Sequence, residues 1–228
     1  MSAWIKSFIF CVLFPISLTQ ASANGGITVG GTRIIYDGGK KEASLSVTNS
    51  DSNPYLIQSW AETQSGGADK APFIVTPPLF RLDGGQQNLL RIVRTGDKLP
   101  EDRESLYWLN VKSIPGTDKE GNSNSLQIAV KTRIKLIFRP ASLKGVPEDV
   151  ADSLIWTQHG NRITVRNPTP FIMNFKQVRI GGNVLKGVTY VLPKSEATFV
   201  VPAGVGGKVN WKLISDYGGT GAEHSSQR

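Results

Sequence analysis

"SLQIAVKTRIKLIFRP", Ser125 to Pro140, is the stretch from which the rest of the chain can be read. Every second residue from Leu126 is apolar or threonine: Leu126, Ile128, Val130, Thr132, Ile134, Leu136 and Phe138. The intervening row carries Gln127, Lys131, Arg133, Lys135 and Arg139. Successive side chains of a strand point to opposite faces, so this pattern predicts a β-strand buried on one side. Strands usually run about five or six residues, and this one continues well past that length. So long an apolar strand, studded with cations, raises the question of why a soluble protein keeps it in one piece.

Outward from this strand, helical periodicity is nearly absent. Short runs of β-formers are separated by Gly, Asn, Asp and Pro: "GITVGGTRIIYD", "ASLSVTN", "YLIQSWAET", "FIVTPP", "NLLRIVR" and "SLYWLNVKSI" before it, "SLIWTQ", "RITVRN", "FIMNFKQVRI", "GVTYVL", "ATFVVP" and "KVNWKLIS" after it. The Pro pair of "FIVTPP" cannot sit inside a central ladder and ends that strand. "RPASLKGVPEDV" (139–150) breaks the pattern with prolines, a glycine and mixed charges, and reads as a connection between domains. The expectation is an all-β protein of two immunoglobulin-like β-sandwich domains, residues 24–141 and 142–228. "GGTGAEHSSQR" (218–228) reads as a loose tail.

The first residues are expected to lie outside the fold. Lys6, the apolar run "FIFCVLFPISL" and the small residues of "ASA" form a secretory signal peptide, residues 1–23, with the mature chain starting at Asn24. The single cysteine, Cys11, lies inside this leader. The mature chain then has no disulfide to staple it and must rest on a hydrophobic core. No other run is long and apolar enough to suggest a membrane segment. The net charge of +8 falls to +7 without Lys6 and suits an anionic partner. Basic residues interleaved with aromatics are missing, which argues against nucleic acid.

Catalytic chemistry is hard to find. His159 sits in a "QHGN" turn and His224 in the tail, neither with a partner at ligand spacing, so no metal site is expected. No serine stands in a nucleophile elbow, and "GGTGAE" does not lead into a helix that could cradle phosphate. No cofactor is expected, and the protein is read as a binding protein, not an enzyme. On residue type alone, Lys131 and Arg133 read as a solvated sheet face.

Seven stretches, taken in order, give a more specific reading: "GGTRIIY", "YLIQSW", "FIVTPPLFRL", "LPEDRESLYWLNVKSIP", "LQIAVKTRIKLIFRP", "NPTPF" and "SDYGG". With these the sequence resembles the periplasmic pilus-assembly chaperones, the PapD and FimC family, over essentially the whole mature chain. The short connection "GTDKEGNSN" (116–124) resembles the short-loop branch, nearest the FimC, type 1 fimbrial side. The resemblance implies two sandwiches set in an L or boomerang with a cleft between them. It implies a periplasmic protein that lends its long strand to complete a fimbrial subunit or adhesin and delivers it to an outer-membrane usher, and it leaves self-association of the free protein open. The lent residues are then Asn124, Leu126, Ile128 and Val130. Arg33 and Lys135 would anchor the subunit's C-terminal carboxylate; Glu104, Arg139 and Asp216 would form an interdomain salt bridge; Leu56 and Pro78 would face the usher. Strict alternation puts Lys135 on the opposite face from Ile128 and Val130, so a bulge or twist is expected between Val130 and Lys135. The alternative reading is a secreted two-domain structural or adhesive component of a pilus.

Overall fold

The computed structural model describes residues 26–66, 70–96, 99–116 and 127–226. Nine strands come first: β1 (Ile27–Val29), β2 (Arg33–Asp37), β3 (Glu42–Asn49), β4 (Tyr55–Glu62), β5 (Phe73–Thr76), β6 (Leu79–Leu82), β7 (Gln87–Arg94), β8 (Ser105–Pro115) and β9 (Val130–Arg139). A 3₁₀ turn, Pro147–Ser153, leads into β10 (Ile155–His159), β11 (Arg162–Asn167), β12 (Met173–Ile180), β13 (Asn183–Val184), β14 (Tyr190–Val191), β15 (Ser195–Val200), β16 (Val209–Ile214) and β17 (Thr220–Ser225).

The first nine strands form two sheets, ordered β1-β3-β7-β5 and β2-β9-β8-β4-β6; the later ones form β10-β11-β15 and β13-β12-β16-β17, with β14 beside β12. No described pairing joins a strand before Pro140 to one after it. Each sandwich closes on the apolar row of its strands. Val47, Ile57, Leu90, Ile92, Leu109 and Leu136 fill the first, around the aromatic contacts of Tyr36, Phe73, Tyr107 and Phe138. Ile163, Val165, Met173, Val178 and Leu213 fill the second, around Trp156, Phe175 and Trp211. Fully burying each such aliphatic side chain stabilises the fold by roughly 1.5–3 kcal/mol. Each sandwich also buries one asparagine whose amide ties down a turn: Asn49 Nδ2 donates to the Asn53 and Leu82 carbonyls, and Asn167 Nδ2 to those of Phe171 and Leu192.

Two local readings change. "GITVGGTRIIYD" is not one strand: Gly30–Thr32 breaks it, leaving β1 in one sheet and β2 in the other. Gly30 is held against β3 by its N–H to the Ser46 carbonyl, and a Cβ there would fall 2.1 Å from Ser46 Oγ. The tail is not loose either, since β17 pairs with β16 and His224 stacks on Trp211 and meets Asp152 at 2.7 Å. The Trp211 ring and the otherwise open β16 edge supply what the polar tail sequence could not announce.

A small apolar cluster joins the two sandwiches, with Leu106, Ile137 and Ile172 buried and Ile35, Tyr190 and Leu192 packed on it. Polar contacts flank it, from Gln64 Nε2 to the Tyr190 hydroxyl at 3.2 Å and from Lys194 to Asp102.

Candidate functional site

β9 is paired unequally on its two sides. Along one edge it follows β8 without interruption, from Ser113 opposite Val130 to Ser105 opposite Phe138. Along the other it pairs with β2 only from Arg33 opposite Lys135 to Asp37 opposite Arg139, and in parallel. Among the described residues, no strand covers that second edge from Val130 to Ile134. The apolar row changes environment within that stretch. Ile134, Leu136 and Phe138 are core, whereas Val130 is 55% exposed and Ile128, just ahead of the strand, 65%. Asn124 and Leu126 lie outside the described residues.

The expected bulge is not there. Pairing with β8 steps one residue for one from Val130 to Phe138, so Val130 and Lys135 stand on opposite faces of the sheet. The two rows serve different neighbours. The row of Val130 continues the first sandwich's core, and the row of Lys135 faces the second sandwich.

Arg33 and Lys135 are direct neighbours across the β2–β9 pair. Lys135 Nζ donates to Asn174 Oδ1 and lies 4.1 Å from the Tyr190 ring centre, both in the second sandwich. Arg33 Nη1 donates weakly to the Ile214 carbonyl at 3.4 Å, and its Nε is buried without a hydrogen-bond partner. Burial, reinforced by the charge of Arg33, pushes the Lys135 ammonium down to about 8. Burial likewise lowers Arg33, opposed through space by Asp216 and Glu148. Among the described residues no carboxylate forms an ion pair with either cation. Two adjacent, half-buried cations with donor capacity to spare suit an incoming carboxylate, which can accept from both.

Glu104, Arg139 and Asp216 are brought together. Arg139 Nε donates to Glu104 Oε1 at 2.7 Å, while Nη1 and Nη2 donate to Asp216 Oδ2 and Oδ1 at 2.7 and 2.9 Å. The second Glu104 oxygen accepts the Ile172 N–H at 2.7 Å. Burial would lower the Arg139 pKa, but the hydrogen bonds and charges of Asp216 and Glu104 outweigh it and raise it. Burial raises the Glu104 carboxyl, against the pull of Arg139 and the Ile172 amide. Arg139 is the last residue of β9 and not part of a connecting segment, so one guanidinium grips a carboxylate on its own side and one on the other. Asp216 stands on a tight turn closed by Ser215 and Gly219, in which Gly218 has φ +85° and approaches Thr32 so closely that a Cβ would lie 2.9 Å from its Oγ1.

Leu56 and Pro78 lie elsewhere. Leu56 is exposed on the outer face of β4, opposite Arg81 and Ile114, toward the far end of β8 from the cations. Pro78 is in the β5–β6 turn, where its carbonyl accepts the Ser59 N–H. Sequence reasoning missed Asn174 and Tyr190, the partners of Lys135; nothing local marks them, because only domain packing brings them near. It also missed that Lys131 and Arg133 rest on tryptophans, although Trp60 and Trp108 at alternating strand positions were visible.

Comparison with known proteins places the whole fold in one family. Residues 26–144 match the family described as pili and flagellar-assembly chaperone, PapD N-terminal domain, and residues 149–225 the pili assembly chaperone PapD C-terminal domain. The chain is 44% identical to the probable fimbrial chaperone LpfB of Escherichia coli O157:H7, over 96% of this chain and 95% of that protein. It is 42% identical to the chaperone protein FimC of Escherichia coli strain K12, over 92% and 89%. A chain from the solved complex of the Salmonella enterica SafA pilin with the SafB chaperone superposes with a TM-score of 0.84 at 42% identity, covering 89% of this chain and 96% of that one. The E. coli chaperone DraB superposes with a TM-score of 0.80 at 43% identity over the same shares.

Proposed function

Because this chain belongs to the pili-assembly chaperone family, matching both its PapD domains, we propose that it lends β9 to an incomplete fimbrial subunit or adhesin. The observation that carries this reading is the pair of adjacent cations, Arg33 and Lys135, in ion pair with no carboxylate among the described residues and standing where the open edge of β9 ends. A guest strand lying on that edge would continue the line of β2. Running parallel to β9, as β2 does, it would end at Arg33 and present its C-terminal carboxylate to both cations. Running the other way, it would bring a positively charged N-terminus to the same place and be repelled. The ladder of backbone hydrogen bonds would give affinity, while Ile128 and Val130, with Leu126 before them, would enter the subunit's open groove. Each apolar side chain buried there would contribute roughly 1.5–3 kcal/mol before ordering costs.

In this reading Glu104, Arg139 and Asp216 set the angle between the domains, and Leu56 and Pro78 face an outer-membrane usher that receives the loaded subunit. The work is binding, not catalysis. Its place is the periplasm, reached through the leader at residues 1–23; among the described residues no helix is long and apolar enough to cross a membrane. The names of the similar proteins, chaperones and not fibre components, favour this over a structural role in the pilus.

The test is a pull-down from periplasmic extract of the source bacterium with tagged mature protein and with Arg33→Ala, bound proteins being identified by mass spectrometry. Wild type is expected to recover fimbrial subunits in one-to-one complexes and the variant none. Recovery of no subunit by the wild type would falsify the strand-lending function, and equal recovery by both would remove Arg33 as the anchor.

A further inference from the structure

The cations of β9 that precede Lys135 are held by a single carboxylate. Lys131 Nζ lies 3.3 Å from Glu62 Oε1 and 4.9 Å from the centre of the Trp60 ring. The Arg133 guanidinium sits 4.3 Å over the Trp108 ring, with Nη2 3.7 Å from Glu62 Oε2. Trp60 Nε1 donates to Glu62 Oε1 at 2.7 Å. The register explains the convergence: Trp60 and Arg133 both stand opposite Asn110, and Glu62 stands opposite Trp108, so the group spans β4, β8 and β9 on one face. Glu62 is the last residue of β4, two strands away from the edge it reaches.

We propose that Glu62 is a positioning residue for the lent strand: by gripping Lys131 and Arg133 it holds the half-paired stretch Val130–Ile134 flat against β8, ready for a guest on its open edge. The proposal rests on the strand-lending reading and adds to it how the strand is kept ordered while empty. A strand paired on one side only is prone to open locally. A slip of one residue would turn its whole apolar row to the wrong face. Cations on alternate positions, each seated on its own indole and both sharing one carboxylate, resist both failures without using the apolar row or the open edge. The arrangement also keeps the carboxylate charged, since the Trp60 hydrogen bond and then Lys131 lower the Glu62 pKa.

Hydrogen exchange on the whole mature protein, without any partner, tests this with Glu62→Gln, which keeps an acceptor for Trp60 and removes the charge. The Val130–Ile134 amides bonded to β8 are expected to exchange roughly tenfold faster, as the loss of two ion pairs and their stacked geometry would give. Amides of β3 and β7 should keep their rates. Adding Lys131→Met and Arg133→Met to Glu62→Gln should accelerate the same amides by less than Glu62→Gln alone does, since only the indole contacts remain to be lost. Wild-type rates at Val130–Ile134 would overturn the proposal, as would an equal acceleration throughout the first sandwich, the mark of a merely structural residue. The outcome does not depend on capture. Exchange that responds while wild type recovers no subunit leaves an ordered strand with no guest and ends the lent-strand role; capture with unresponsive exchange removes Glu62 alone.

Discussion

The two halves of β9 are covalently continuous, apolar or threonine on one face and, except for Ile137, cationic on the other, yet they live in different surroundings. From Lys135 to Arg139 the strand is central, paired with β8 and β2, with Leu136 and Phe138 in the core and Arg139 in a buried ion-pair network. From Val130 to Ile134 it is an edge, paired with β8 alone. The same residue types therefore do opposite work. Leu136 and Phe138 at the paired end, and Ile134 next to it, are buried in this protein's core, whereas Val130 at the open end is exposed and in the proposed function is offered to another chain. The pairing changes where β2 begins, at Arg33, which is also where the two cations stand that no described carboxylate pairs.

The sharpest way to break the comparison is at the paired end. Glu104 is almost fully buried, and Glu104→Ala would leave the Arg139 guanidinium half unpaired and the Ile172 N–H without its acceptor. Removing one partner of a buried pair costs about 3–5 kcal/mol. Urea denaturation should show a loss of that order, while the affinity of the remaining folded protein for a subunit changes less. A large loss of affinity with an unchanged denaturation midpoint would put Glu104 in the binding site and not in the hinge.

One truncation in each half compares the two ends directly. Leu136→Ala should destabilise the free protein by about 2–5 kcal/mol, as core truncations do. Val130→Ala, in the same row, should leave its stability within about 0.5 kcal/mol of wild type. Its subunit affinity should instead fall by about 1–2 kcal/mol, the transfer energy of the lost methyl groups. Equal destabilisation by both variants, measured by thermal unfolding, would mean that the open half is core after all.

The effect expected at the junction is a pH dependence. Lys135 falls from an ordinary 10.5 to about 8 in the fold, so the folded chain loses this proton at lower pH than the unfolded chain does. Between about pH 8 and 10.5 the unfolded state binds more protons, and the Lys135 contribution to stability rises across that window. Carboxylate capture needs the charged ammonium and should weaken over the same range. Calorimetric stability and subunit binding measured from pH 7 to 10 should thus move in opposite directions; a parallel fall of both would argue against Lys135 as an anchor.

Much of this was legible in the residues. The alternation from Leu126 to Phe138 announced the strand, the Pro and Gly punctuation the two sandwiches, and seven short stretches the family. The ion-pair trio came from that resemblance and the structure brings its three members within hydrogen-bond distance. Other features were hidden for definite reasons. A bulge was expected because one face was assumed to serve both Val130 and Lys135, whereas the regular ladder gives each its own neighbour. Lys131 and Arg133 looked like a solvated face because nothing local to them is acidic or aromatic; their partners Trp60, Glu62 and Trp108 arrive from β4 and β8. The tail read as loose because its polar residues carry no period, and the Trp211 ring that receives His224 is brought to it only by the fold.

By itself, then, the sequence determined that β9 would form and which of its faces is apolar, because side-chain alternation is a property of the extended backbone alone. Which half of that apolar row is core and which is open was decided only by the tertiary structure. Burial depends on where β2 stops covering the edge and the facing sheet stops covering the row, and both limits are set by residues far away in the chain. The same holds for the cations. Their charge is written in the sequence, but that Lys135 has no ion-pair partner among the described residues follows from which side chains the second sandwich places against it, Asn174 and Tyr190 where a carboxylate would have closed the site.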